Sequence, residues 1–193
     1  DDGTFSVKGL FDGSVGGIDD VSDAILGYNI AEAVIPVILA DDGGFATGRR
    51  AKLGLSKVTG WEVDAPVADV VSISGDFQAT KGIRHGVMLS GATASPLGVS
   101  NGSTVDSTTA SAGVLRVFAA IVNDSDGTAQ TTVQHSDNGT TWIDFAVLPS
   151  VAAHASQGLY LEQSGGTKRY LRTHTTLAGA TGSAQVIVAV ARS

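Results

Sequence analysis

Six short runs of alternating apolar and polar residues occupy the C-terminal part of the chain, each closed by turn-forming residues. This pattern confines the region to antiparallel β structure. The runs are Val114–Val122, Ala129–Ser136, Thr141–Val147, Gln157–Gln163, Lys168–Leu177 and Ala184–Ala191. Asp124-Ser125-Asp126-Gly127, Asp137-Asn138-Gly139 and Gly165-Gly166 punctuate them. A strand with period two buries every second side chain, so such runs without helical spacing predict an immunoglobulin-like or jelly-roll β-sandwich over 113–193.

The first half is organised differently. Residues Thr4 to Phe11 alternate, with Phe5, Val7 and Phe11 on one side and Thr4, Ser6 and Lys8 on the other. Asp12 to Gly17 is turn chemistry. Ile18, Val21, Ile25 and Leu26 then recur at helical spacing behind Asp19 and Asp20, which predicts a helix of about two turns ending at Gly27. Val34 to Leu39 reads as a buried strand. Trp61, Val63 and Ala65 alternate with acids, and Val71, Ile73, Phe77 and Ala79 alternate with Ser72, Ser74, Asp76 and Gln78. Gly75 in that register suggests a bulge or a close backbone approach, and Ile83 to Leu89 reads as a second hairpin arm. From Ser90 to Gly113 the composition falls to Ser, Thr, Ala, Gly and Asn, as in a linker or extended arm. The expected division is therefore a core over 1–91, a linker over 92–112 and a sandwich over 113–193.

Charge and composition narrow the function. The 193 residues carry 12 Lys+Arg against 19 Asp+Glu, a formal charge of -7, and only 16% are charged. Residues 1–91 hold 13 acids and 7 bases, and the rest hold 6 and 5. The acidic balance argues against a chain that grips nucleic acid by neutralising phosphates with clustered bases, and Arg49-Arg50-Ala51-Lys52 is the only basic cluster of the first half. That cluster reads as a solvated edge or as a contact from Arg49, Arg50 and Lys52 to an acidic surface of a neighbouring subunit. With no cysteine there is no disulfide framework, thiolate zinc site or cysteine nucleophile. The longest apolar run, Ala33 to Ala40, is eight residues with Pro36 inside it, far below the roughly 20 a helical span needs.

No catalytic constellation emerges. There is no G-x-S-x-G elbow, no phosphate loop with its lysine, and His85, His135, His154 and His174 never stand at metal-ligand spacing. Tyr170, Arg172 and His174 share one side of a strand, as a solvated face or a recognition stripe. Asp124-Ser125-Asp126-Gly127 resembles part of a calcium loop, but Val122 and Val133 stand where oxygen ligands are required. Asp137-Asn138-Gly139-Thr140-Thr141-Trp142 matches most of an Asp-box hairpin, with His135 in place of the leading Ser. In such a turn Asp137 closes onto backbone amides, Gly139 takes positive φ and Trp142 packs beneath beside Thr141. The expectation is a structural turn, no enzyme, no cofactor and no metal.

Taken in order, Gly9-Leu10-Phe11-Asp12-Gly13, Ile18-Asp19-Asp20-Val21, Gly48-Arg49-Arg50-Ala51 and Val70 to Gln78 resemble the major tail (tail tube) proteins of long-tailed, siphovirus-like bacteriophages. Gly113-Val114-Leu115, Val133 to Trp142, Lys168 to Arg172 and the closing strand Val186 to Ala191 continue the likeness over nearly the whole chain. An opening strand region expected before Asp1 is the departure.

The resemblance implies a mainly β, tail-tube-type sandwich or barrel with one short helix, followed by the C-terminal sandwich. It also implies a structural virion protein without an active site, forming stacked, usually hexameric rings around a conduit for DNA ejection. Partners would be copies of itself and other tail proteins such as the tape measure; assembly would take place in the host cytoplasm and DNA would pass without specific binding. Under that reading Ser72, Ser74, Asp76 and Gln78 line the lumen, since neutral or acidic side chains do not hold phosphate, and the Val71–Ala79 strand closes across subunits. Two other classes predict different features. A virion decoration protein or carbohydrate-binding sandwich module predicts a shallow aromatic groove, although Trp61 and Trp142 both read as core. A hydrolase predicts clustered carboxylates in a cleft.

Overall fold

A computed structural model describes residues 4–10, 34–40, 44–64 and 72–193. Its regular elements there are strands: β1 (Thr4–Leu10), β2 (Ile35–Ala40), β3 (Arg50–Asp64), β4 (Ser72–Ala79), β5 (Arg84–Ser95), β6 (Gly98–Asn101), β7 (Val105–Asp106), β8 (Leu115–Asn123), β9 (Ala129–Ser136), β10 (Ile143–Val147), β11 (Ala155–Gln163), β12 (Tyr170–Leu177) and β13 (Ala184–Arg192). The protein is mainly β, as its alternation requires. The predicted helix over Ile18–Leu26 lies outside the described residues.

The chain divides into two units, Asp1–Ile35 with Gly54–Ile83, and Pro36–Leu53 with Arg84–Ser193. In the first, β4 lies between β1 and β3. Phe5 stands opposite Phe77 on one side, and Val58 opposite Phe77 on the other. The two-faced reading of β4 holds: Phe77 and Ala79 are buried while Asp76 and Gln78 are exposed. The irregularity expected at Gly75 sits instead on the neighbouring strand, where the register of β3 shifts between Val58 and Gly60.

The second unit is an antiparallel sandwich. One sheet runs from the start of β3 through β5, β13 and β8 to β11, and the other runs β10, β9, β12, β6, with β7 also on β12. Between them pack Leu115, Val117, Ala119 and Ile121 of β8, Val186, Val188 and Val190 of β13, Val133 of β9 and Leu171 and Leu177 of β12. Each large aliphatic side chain removed from water here contributes about 1.5–3 kcal/mol. The reverse side of the first sheet is covered as well: Met88, Phe118 and Ala189 are buried. Residues 44–49 run along β5 there, with Gly48 N donating to Met88 O and Met88 N to Arg49 O. Gly91 permits that approach, since a Cβ on it would stand 1.9 Å from the Phe45 carbonyl oxygen.

Three expectations about organisation are corrected. Residues 92–112 are no linker: they carry the end of β5, then β6 and β7, and Gly102 N donates to Thr173 O. Small polar residues disguise these strands because pairing is a backbone property, and β6 is held through Asn101 opposite His174 and Gly98 opposite Leu177. The boundary near residue 91 is displaced too, since β5 belongs wholly with the sandwich. Finally, β5 is not a hairpin arm of β4; it pairs with the start of β3 and with β13.

Candidate functional site

The proposed lumen strand is best seen through its neighbours. Ser72 opens β4 opposite Leu10 of β1 and Asp64 of β3, and Ser74 is half-buried. Thr4 and Ser6, both exposed, stand opposite Gln78 and Asp76 on β1, and Ser6 Oγ donates to Asp76 Oδ1. Lys57 faces Gln78 from β3. The result is a polar strip of hydroxyl, amide, carboxylate and ammonium groups backed by Phe77 and Ala79. It cannot close across subunits through β4 itself, because both edges of β4 are already paired; among the described residues β1 is the end strand of this unit.

The 136–142 turn is structural but is built differently from the expectation. Ser136 Oγ accepts from Asn138 N (3.3 Å) and Gly139 N (3.0 Å), and Asn138 Oδ1 accepts from Thr140 N (3.0 Å) and Thr141 N (2.9 Å). Asp137 closes nothing; it reaches outward to Lys168 Nζ at 2.5 Å. Gly139 does take φ +72°, a conformation that disfavours other residues. Trp142 is half-buried outside the core cluster, with the Arg172 guanidinium 4.3 Å above its ring, and Thr141 is exposed. Asp-box reasoning missed these roles because Ser and Asn form the same local amide-capping bonds as Asp.

Trp142 and Arg172 belong to a row across the outer face of the second sheet. Arg172 Nε donates to Gln134 Oε1 at 2.8 Å, Gln134 Nε2 to Asp144 Oδ1 at 2.7 Å, and His174 Nδ1 meets Asn101 Oδ1 at 2.9 Å. Burial lowers the pKa of Arg172 from its ordinary value. Tyr170, Arg172 and His174 thus share one side of β12, with Arg172 and His174 bonded to side chains of the neighbouring strands β9 and β6.

Arg49, Arg50 and Lys52 are all exposed, while Ala51 and Leu53 are buried, as alternation on β3 demands. Arg50 lies at the mouth of a groove of about 610 Å³ at one end of the sandwich, shared with His85, Asp106, Thr109, Val190 and Arg192. Asp106 is bound bidentately by Arg169, at 2.8 and 2.7 Å, and also accepts from Thr108 N. The Arg169 hydrogen bond, then that of Thr108, brings its pKa down to about 2. Arg192 donates to Thr109 O and Lys168 O, both at 2.8 Å, and burial lowers its pKa. Neither His85 nor Arg192 was picked out by sequence reasoning.

The remaining polar centres are structural. Asp126 of the calcium-like turn accepts from Thr181 N and Ala180 N, which lowers its pKa. Among the described residues no cluster of three or more His, Asp or Glu could hold a metal ion. His135 is buried against Phe145, ring centroids 4.5 Å apart, and its pKa is lowered first by burial and then by Lys168. Trp61 stands opposite Gly75 in the strand register. Among the described residues no helix is long and apolar enough to cross a membrane. Comparison of the chain with models of known protein families, with curated proteins and with solved structures gives no match.

Proposed function

We propose that this chain is a structural subunit that associates with copies of itself into stacked rings, forming the tail tube of a long-tailed bacteriophage and a conduit for DNA. The observation that carries the reading is the two-faced β1–β4 pair, in which exposed Thr4, Ser6, Asp76 and Gln78, with Lys8 in the same register opposite Ser74, make a polar face of low net charge and Phe77 and Ala79 are buried. A wall of this kind wets readily and does not retain phosphate by counterion release. Ring closure would then join β1 of one copy to the next, burying an edge that an isolated sheet leaves open. The subunit has no catalytic role in this reading and needs no cofactor.

Electron microscopy of the purified full chain tests it. Rings or tubes are expected, and a dispersed monomer at high concentration would sink it. A second reading, a virion decoration or carbohydrate-binding module, draws on Trp142 lying outside the core. It predicts saturable glycan binding that Trp142→Ala abolishes, measured by calorimetry against host surface polysaccharide.

A further inference from the structure

The groove at the end of the sandwich holds more positive charge than its surroundings neutralise. Arg50 and Arg192 line it beside the His85 ring, and its one carboxylate, Asp106, is already committed to Arg169. Among the described residues neither Arg50 nor Arg192 makes an ion pair with a carboxylate. Arg192 is the more telling of the two, because its Nε is buried and has no hydrogen-bond partner, while its other nitrogens reach only backbone carbonyls. A desolvated cation facing dipoles alone is incompletely compensated, and a nearby anion relieves that cost. The opposite wall is held in place independently of any ligand: Ser107 N donates to Arg169 O, Ser111 and Thr167 exchange backbone bonds, and Thr109 O is fixed by Arg192. The groove is therefore a formed receptor whose mouth carries Arg50 and His85.

We infer that this groove receives a carboxylate-bearing segment from a second copy of the chain, with Arg50 and His85 contacting the incoming acid and Arg192 supplying the fixed charge behind them. The inference rests on the self-assembly reading and names one of its contacts. Charge complementarity selects the occupant: the chain carries 19 acids against 12 bases, and 13 of those acids fall in residues 1–91, so a second copy presents carboxylates in excess. Such a pairing also gives orientation, since copies meeting base to base or acid to acid repel.

The test compares the full chain with the double variant Arg50→Glu/His85→Glu by sedimentation velocity over a concentration series, with thermal melts of each. Arg192 is left intact, because its carbonyl bonds support the fold. The variant should need at least about tenfold more protein to assemble, with an unchanged melt. Raising salt from about 0.15 to about 0.5 M should weaken the wild type in the same direction, and Arg50→Lys should largely restore assembly. Assembly of the double variant at the wild-type concentration overturns the groove and leaves the tube standing. A wild type that stays monomeric overturns the tube reading and this contact with it. Fluorescence anisotropy with a labelled DNA duplex completes the test: saturable binding by the wild type that the double variant loses would reassign the groove to phosphate and overturn the inference.

Discussion

Asn123→Ala should remove the polar fastening that gathers the turns at one end of the sandwich. Asn123 ends β8, is fully buried, and stands opposite Ala184 of β13 and Ala155 of β11. Its two amide hydrogens serve three carbonyls, those of Gly127 (2.9 Å), Val151 (3.2 Å) and Ala152 (2.8 Å). Its oxygen accepts from Ser125 N (3.1 Å) and Ser125 Oγ (2.7 Å). Not all of these groups would be orphaned. Val151 O keeps the bond from Ala129 N, and Ser125 Oγ still reaches Gly127 O and Ala178 O at 3.4 and 3.5 Å. Ser125 N and Ala152 O lose their partner.

Ser125 N left buried and unpaired costs about 1–3 kcal/mol, and the bond lost to the more exposed Ala152 O adds about 1 kcal/mol, roughly 2–4 kcal/mol together. For a chain of this size that corresponds to roughly 4–16 °C in Tm. Ser125→Ala, which removes the donation to Asn123 Oδ1 and the acceptance from the partly exposed Gly127 N while Asn123 Oδ1 keeps the bond from Ser125 N, should cost about 1 kcal/mol. Urea titration followed by circular dichroism, with a thermal scan, measures both variants. A loss below about 1 kcal/mol for Asn123→Ala, or one no larger than for Ser125→Ala, would refute the reasoning, because it would show the vacated pocket satisfying its own polar groups.

The remaining predictions use the same logic elsewhere. Thr131 and Thr175 share a buried hydroxyl bond of 3.0 Å across β9 and β12; Thr131→Val alone should cost about 1–3 kcal/mol, and Thr131→Val/Thr175→Val should recover most of it. A double-mutant cycle in urea checks this, and purely additive losses would contradict it. His135 has a folded pKa below its unfolded value of about 6.5, so the unfolded chain binds more protons as pH falls. Its contribution is intact above pH of about 6.5 and is lost below it, as the ring charges beside Lys168 and Arg192 with only Asp137 opposing them. His135→Gln should flatten that part of the stability–pH curve. Asp106 and Asp126, with folded pKa values depressed, add a second acid-sensitive limb: full stability above pH of about 4, falling as pH drops towards 2. Gly91→Ala would force a Cβ into the Phe45 carbonyl and should cost about 1–3 kcal/mol, with faster hydrogen exchange at Gly48 and Met88, whose amides tie residues 48–49 to β5.

Much of the sandwich was legible because its strands follow the simplest physical rule available. Leu171, Thr173, Thr175 and Leu177 point inward from β12 while Tyr170, Arg172, His174 and Thr176 point outward, which is the period read from the bare chain. β13 stands among the alternating runs, yet Val186 to Ala191 is continuously apolar, and the structure buries Val188 to Ala191 on both faces of the strand. What could not be read was pairing without side-chain signal. Val99 on β6 is exposed and its neighbours are Gly, Ser and Asn, so nothing in their chemistry distinguishes an edge strand from a linker. Likewise β4 displays its two faces in its own residues, yet its position between β1 and β3 depends on partners about 70 residues away on β1 and on the preceding strand β3.

The groove illustrates a signal that was present and yet unread. Val186, Val188 and Val190 set the inward register of β13, and two residues further that register reaches Arg192. A cation at an inward position breaks the local rule, and such breaks concentrate where a fold is adapted to something besides its own stability. Alternation alone therefore singles out Arg192. Its acceptors are another matter: Thr109 and Lys168 are 83 and 24 residues distant in the chain, and Arg50 and His85 arrive on separate strands. The anomaly is a property of the sequence, whereas the receptor around it exists only once β3, β5, β7 and β13 have come together.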